Sequence, residues 1–318
     1  MLSLSVCIIA KGEEPFIETT LRSVKECADE IILIDTGLSK KTRAKLDSFM
    51  QNNPDFAINQ FTYPWEDDFS QARNFSLSKA TKDWILVIDA DEFIESKDIM
   101  RLLKVAEEKK EVKGFSLIQR TYTNNVDVFG FIKSGARIKQ QGHLFTFEGH
   151  TACNAVRLFK QDKNIMYENP VHESADQSIR KLGKLGKTNI VIHHLKELKG
   201  MDWTDQTQLH YMDIYKKNLD RFTNKAKAYS DLGILYYSYN KDYPKAAEFL
   251  QKAVKEYEAR SQKPREKTLF TLAYAYYMSD DFDNAKSVFE QFIDVYPGHE
   301  SSDRARNALQ MIAEKQNL

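Results

Sequence analysis

Residues 84–92 read Trp-Ile-Leu-Val-Ile-Asp-Ala-Asp-Glu, an apolar run that ends in the three carboxylates of Asp89, Asp91 and Glu92. Carboxylates at the end of a buried run cost desolvation energy unless a cation holds them. Two aspartates separated by one small residue can turn toward a single hard cation such as Mg2+ or Mn2+, and such an ion can bridge a diphosphate. The same spacing also occurs in solvated turns and helix caps; its place after an apolar run favours the cation site. Asp35-Thr36-Gly37 likewise follows an apolar run, at 31–34. An acid there can accept a hydrogen bond from a uracil imide or a ribose hydroxyl, and the glycine permits a tight exit turn. A plain strand-ending turn is the alternative. In residues 65–74, Asp67 or Asp68 can cap the helix that follows. Arg73 lies one helical turn on, within reach of a nucleotide phosphate, of the acidic cluster, or of a surface ion pair.

These residues need elements to hold them. Short apolar runs at 4–9, 30–34, 56–61 and 84–88 alternate with polar helical stretches at 15–27, 42–51, 69–79 and 97–110. That alternation predicts a mostly parallel sheet with helices on both faces. Ligands of such sheets sit at the carboxyl ends of the strands, here 11–14, 35–36 and 89–92. Strand-like pieces at 114–122, 155–160 and 189–193 predict a mixed extension of the sheet on the acceptor side.

After about residue 203 the β-branched runs stop. Leu232-Gly233, Tyr236, Ala246, Leu250 and Ala253 recur as Leu272-Ala273, Tyr276, Ala285, Phe289 and Phe292, closing with Pro297. This resembles the tetratricopeptide repeat, in which small residues let paired helices approach. The first copy needs a one-residue insertion, expected near Tyr243-Pro244. A leading helix is expected at 203–218 and a capping helix at 303–315. Two domains follow, 1–200 (α/β) and 201–318 (all-α), as a chain of 318 residues suggests.

Composition narrows the function. The 46 basic and 46 acidic side chains leave no net field to gather nucleic acid or anionic lipid. Cys7, Cys27 and Cys153 are odd in number and form no C-x-x-C pair, which argues against a disulfide framework and a thiolate zinc site. A reducing cytoplasm is expected, with peripheral contact at the inner membrane face the variant of that reading. Residues 2–10 are apolar but lack a basic leader and are too short to span a bilayer, so a buried strand is expected there and no transmembrane segment elsewhere.

The order of Lys11-Gly12-Glu13-Glu14, Asp35-Thr36-Gly37, Asp67-Asp68-Phe69-Ser70 with Ala72-Arg73-Asn74, and Asp89-Ala90-Asp91-Glu92 is similar to that of the family-2 glycosyltransferases of GT-A fold. The branch that joins this domain to tetratricopeptide repeats, including the sublancin-type peptide S-glycosyltransferases, looks nearest. Val156-Arg157-Leu158-Phe159, Val171-His172-Glu173 and Ile192-His193-His194 resemble further elements of that branch.

The resemblance implies a metal-dependent, inverting transfer of a sugar from a nucleotide-diphosphate donor, expected to be a UDP-sugar. The acceptor would be a peptide side chain or a cell-envelope saccharide. Ala10, Glu13, Asp35, Arg73 and Asp89 would bind the donor; Asp89, Asp91 and His194 (or His193) would hold Mn2+ or Mg2+. Glu173 is the first choice of general base and His172 the second, with Glu92 orienting the metal ligands. Two departures stand out: Gly12 replaces an asparagine, and Leu38-Ser39-Lys40 replaces a serine-threonine-aspartate turn, which puts the donor in doubt. The tyrosine-rich helices could line a groove for a peptide or a second subunit, making a homodimer through the helical domain the oligomer to test. A sugar nucleotidyltransferase would need a glycine-rich loop after the first strand, and Gly186-Lys187-Thr188 lacks the earlier glycine of a phosphate loop. The non-enzyme alternative is a repeat scaffold with an inactive first domain.

Overall fold

The computed structural model describes residues 2–12, 15–140, 142–199 and 201–316. The chain divides into two compact units, Met1–Thr204 and Asp205–Leu318.

The first unit is built on one nine-stranded sheet. Strands β1 (Leu4–Gly12), β2 (Glu30–Leu38), β3 (Ile58–Thr62) and β4 (Trp84–Val87) pair in parallel in the order β3-β2-β1-β4. The apolar runs of β1, β2 and β4 are continuous because both faces are buried, while β3 lies at the sheet's edge and is exposed or half-buried throughout. In β1, Leu4, Val6 and Ile8 enter one core while Cys7 enters the other; Ile31 and Leu33 alternate with Ile32 and Ile34 in the same way. Helices α1 (Ile17–Val24), α2 (Lys40–Gln51) and α4 (Ser96–Glu108) cover the first face through Leu21, Phe49 and Leu102. On the second face, α3 (Phe69–Lys79) and α5 (Asp176–Leu182) contribute Leu77 and Ile179.

Beyond β4 the sheet is mixed. The remaining strands are β5 (Glu92–Phe93), β6 (Val112–Thr123), β7 (Ile132–Gln140), β8 (His143–Lys160) and β9 (Lys184–His194). β8 runs antiparallel to β4 and to β6, β9 runs parallel to β6, and β5 closes antiparallel on β9. The first four strands are parallel as expected, and the mixed extension expected beyond them joins three antiparallel pairings of β8 and one of β5 to the parallel pairing of β6 with β9. Gly186-Lys187-Thr188 lies inside β9, which disposes of the phosphate-loop reading.

The second unit is all-α and tetratricopeptide-like: α6 (Met201–Asn218, which begins before the unit boundary), α7 (Lys225–Leu235), α8 (Tyr243–Ala259), α9 (Glu266–Tyr277), α10 (Phe282–Val295) and α11 (Ser302–Gln316). α7 packs on α8, α9 on α10, and α8 on α9. A Cβ on Gly233 would stand 2.6 Å from Leu250 Cγ, so the glycine sets how closely the first pair approaches. The repeats do differ by one residue, but not near Tyr243-Pro244. The extra residue lies in a π-helical turn, Tyr236–Asn240. The Asp242 amide donates to the carbonyl of Tyr236, six residues back, whereas the Asp281 amide donates to Tyr276, five back. The left-handed residues that follow, Lys241 and Asp280, both at φ 58°, then bring the copies back into step.

Among the described residues, no helix is long and apolar enough to cross a membrane. All three cysteines are free thiols.

Candidate active site

The carboxyl ends of β2 and β4, the end of β9 and a loop before α5 supply the candidate residues. The chain leaves β4 at Val87 and turns at once, so Asp89, Asp91 and Glu92 fall at the sheet's end. The Glu92 amide donates to the Asp89 carbonyl at 3.0 Å, and the Asp89 amide donates to Glu92 Oε2 at 2.8 Å. This reciprocal turn orients the three acids differently.

Asp89 faces two arginines. Arg73 Nη2 donates to Oδ1 at 2.6 Å and Arg157 Nη2 to Oδ2 at 3.1 Å. Arg73 also donates through Nε to Glu173 Oε1 at 2.5 Å, and Arg157 reaches Glu92 Oε1 at 2.8 Å. Glu92 Oε1 accepts a further hydrogen bond from the Gln119 amide. Both arginine side chains are buried, so each charge is affordable only because two acids share it. Burial by itself would raise the Asp89 carboxyl, but Arg73 and Arg157 outweigh it and hold the group far below the usual carboxylate range. For Glu92 burial prevails and the carboxyl is raised despite Arg157.

Asp91 turns elsewhere. Its Oδ2 lies 3.3 Å from His194 Nε2 and 3.0 Å from Lys199 Nζ. The other nitrogen of His194, Nδ1, is 3.1 Å from Thr121 Oγ1. Pairing of β5 with β9, with Glu92 opposite His194, makes this meeting across 103 residues of sequence. Burial opposes both charges; even so the pair lowers Asp91 and raises His194. The Asp91–His194 contribution to stability is therefore complete between pH ~4 and ~6.5; it is lost as pH rises through the raised histidine value, and on the acid side as pH falls through the lowered Asp91 value.

The segment carrying Glu173 is clamped to α3. Asn74 bonds both backbone groups of Tyr167, at 3.0 and 2.7 Å, and the Phe69 amide donates to the Pro170 carbonyl at 2.8 Å. Asn169 and His172 take positive φ, 77° and 51°, in the tight turn that delivers Glu173 to Arg73. Asp68, not Asp67, caps α3, accepting from the Gln71 amide at 3.1 Å. Asp67 instead accepts from the Trp65 indole at 2.9 Å.

Asp35 ends the apolar run of β2 and is buried. Its Oδ1 accepts from the amides of Gly37 and Leu38, each at 2.8 Å, and Oδ2 holds Arg43 of α2. Ala10 pairs with Asp35 across β1 and β2. Glu13 lies outside the described residues.

The structure thus brings Asp89, Arg73 and Glu173 into one cluster and Asp91 and His194 into another. Among the described residues no three His, Cys, Asp or Glu side chains gather as a ready-made ion site. Nothing in the sequence marks Arg43, Gln119, Thr121 or Lys199, and Arg157 carries no assigned role in the family resemblance. Each acts through a contact at least eight residues away in the chain, which no local spacing marks.

His193, the other histidine of the pair, is structural in its contacts. It stacks on Phe93 at 4.5 Å, and its Nδ1 lies 2.7 Å from the Tyr122 hydroxyl. Burial, aided by Arg120, pushes its pKa down to about 4. An unfolded histidine takes its proton near pH ~6.5, so folding stability is full above that value and falls by up to about 3 kcal/mol as pH drops to ~4. His193→Gln should flatten the urea-derived stability profile between those limits; an unchanged slope would show that the ring titrates normally.

The profile of glycosyl transferase family 2 matches residues 5–167, just over half of the 318. A second profile, described as the outer membrane lipoprotein YfiO, matches residues 225–317. A TPR repeat-containing protein of Synechococcus elongatus is 28% identical over 179 residues, 56% of this chain and 37% of that protein. The SPbeta prophage-derived glycosyltransferase SunS of Bacillus subtilis is 28% identical over 166 residues, 52% of this chain and 33% of SunS. The chain therefore spans about a third of the length of these relatives. Among solved structures, S. aureus TarS 1-349 in complex with UDP-GlcNAc superposes with a TM-score of 0.47 at 13% identity, covering 92% of each chain.

Proposed function

The chain belongs to glycosyl transferase family 2, and from that premise we propose that its first unit transfers a sugar from a nucleotide-diphosphate donor to a peptide side chain or a cell-envelope saccharide, with inversion at the anomeric carbon. The observation that carries this reading is the meeting of Asp91 with His194 at the same sheet end as Asp35 and Asp89.

A divalent ion fits this pair. With Nδ1 beside Thr121, His194 presents Nε2 to Asp91, which is how a second-shell partner orients a ligating imidazole. Mg2+ and its like are commonly held by one or two carboxylates plus substrate phosphates and water, so a third protein ligand is not required. Asp91 and His194 would be the ligands; Asp89, with both oxygens on arginines, would keep Arg73 and Arg157 aligned. When bound, such an ion supplies positive charge to the leaving diphosphate.

The residues then divide the work. Asp35 binds the nucleoside, Lys199 adds positive charge beside Asp91, and Glu173 serves as general base through Oε2, since Arg73 occupies Oε1. As the acceptor oxygen or sulfur attacks, its proton passes to Glu173. The new bond forms at the anomeric carbon while the glycosyl–oxygen bond breaks, and the electron pair leaves with the nucleoside diphosphate. His172 adjoins Glu173 in the same turn and is the alternative base.

Incubation with a panel of nucleotide sugars tests the proposal. Release of nucleoside diphosphate should require Mn2+ or Mg2+ and stop with EDTA, while absence of both metal-dependent binding and turnover would favour the inactive scaffold.

A further inference from the structure

Asp91 meets two partners on a single oxygen. His194 Nε2 and Lys199 Nζ both reach its Oδ2, at 3.3 and 3.0 Å. The lysine is delivered by the chain that leaves β9. The Leu195 amide donates to the Asp91 carbonyl at 3.1 Å and the Leu198 amide to the Leu195 carbonyl at 3.0 Å, which fixes the short helical turn Lys196–Lys199 to the acid it serves. Leu195 and Leu198 pack with Phe93 and Tyr122 and anchor that turn. The Lys199 side chain is only 5% exposed, although a four-carbon stem commonly carries its charge out to water. A carboxylate oxygen offers about two acceptor positions, and on Oδ2 the imidazole and the ammonium take both. An ion shared by Asp91 and His194 through that oxygen must therefore replace the ammonium. An ion on the other oxygen of the same carboxylate would still stand beside the ammonium and be repelled by it.

We propose that Lys199 is a built-in rival of the divalent ion for Asp91, and that the ion displaces its ammonium onto the diphosphate of the arriving donor, so that metal and nucleotide bind as a pair. This rests on the nucleotide-sugar reading above. Metal alone must expel a buried ammonium that is then left without a counter-charge, which is costly. With a nucleoside diphosphate present, the expelled ammonium exchanges the carboxylate for phosphate oxygens. The swing is within reach of a flexible stem whose head is a compact point charge with rotatable donors. Each ligand then raises the affinity for the other by the same factor.

The test uses the full chain as parent, Lys199→Gln and Lys199→Arg. Mn2+ alone is titrated and the free ion read by electron paramagnetic resonance; UDP is then titrated calorimetrically at fixed Mn2+. Lys199→Gln should bind Mn2+ alone about tenfold more tightly than the parent, and UDP in Mn2+ about tenfold more weakly. The opposite signs are the signature, since a merely structural loss would weaken both. Lys199→Arg keeps a cation on the carboxylate and grips it with a fork, so it should bind Mn2+ alone no more tightly than the parent; it carries the test if the glutamine variant does not fold. Mn2+ affinity that is unchanged or lower in Lys199→Gln, or higher in Lys199→Arg, overturns the rivalry and leaves the glycosyltransferase reading standing. A parent that binds neither Mn2+ nor UDP, alone or together, sinks both.

Discussion

Asp91→Asn is expected to lower metal-dependent donor turnover by on the order of 10²- to 10³-fold, with Tm shifted by only a few degrees. Asp91 is the acid of the cluster that no arginine holds; its partners are His194 and Lys199. The amide keeps the shape and a hydrogen bond to His194 but removes the charge that a divalent ion needs. It also removes the attraction that raises His194, so the variant should lose the part of its stability that the parent sheds as pH rises above ~6.5. Initial rates of nucleoside diphosphate release with and without EDTA, alongside thermal melts from pH 6 to 9, separate the two effects. Parent-like turnover that ignores the chelator would falsify the site as assigned.

Asp89→Ala should act on the fold itself. Both carboxylate oxygens of Asp89 are committed to buried guanidiniums, and its removal leaves Arg73 with Glu173 and Arg157 with Glu92. Removing one partner from a buried charge network costs about 3–5 kcal/mol. For a unit of this size that corresponds to a fall of about 10 °C in its melting transition. Asp89→Asn, which can still accept one hydrogen bond, should lose less. Turnover should drop in both, because Arg73 is what holds Glu173 in place. The comparison is made by calorimetry, where the first unit's transition is followed separately from that of the helical unit. A loss under about 1 kcal/mol for Asp89→Ala would mean that water reaches the two arginines and that the cluster is not the low-dielectric network its burial indicates.

Much of this molecule is written locally. β1, β2 and β4 are apolar on both faces, so their runs stand out in the sequence, and the polar residues that interrupt them mark where the sheet ends. Asp35 and Asp89–Glu92 were legible for that reason. α3 was legible from Asp68 to Lys79 because a capping acid precedes it. The repeat was legible because helix pairs demand small residues at fixed intervals, as Gly233 against Leu250 requires. β7 was not: eight of its nine residues are exposed or half-buried, so no apolar period announces a strand that is held by pairing with β8. The position of the extra residue is hidden for a related reason, since a π-helical turn adds a residue without breaking the helix and leaves no glycine or proline to mark it.

The sequence by itself determined which segments are buried strands, where the acids fall relative to them, and that an α/β unit precedes an all-α one, because burial period and turn chemistry are properties of neighbours in the chain. Only the tertiary structure decided that Asp89 and Asp91, two residues apart, serve different partners. The tight turn after β4 splays them, the antiparallel return of β5 on β9 brings His194 to one, and Arg73 from α3 and Arg157 from β8 converge on the other. Charge pairing in a buried site depends on distance in space, and distances spanning 16, 68 and 103 residues of chain are set by the sheet and the helix packed on it.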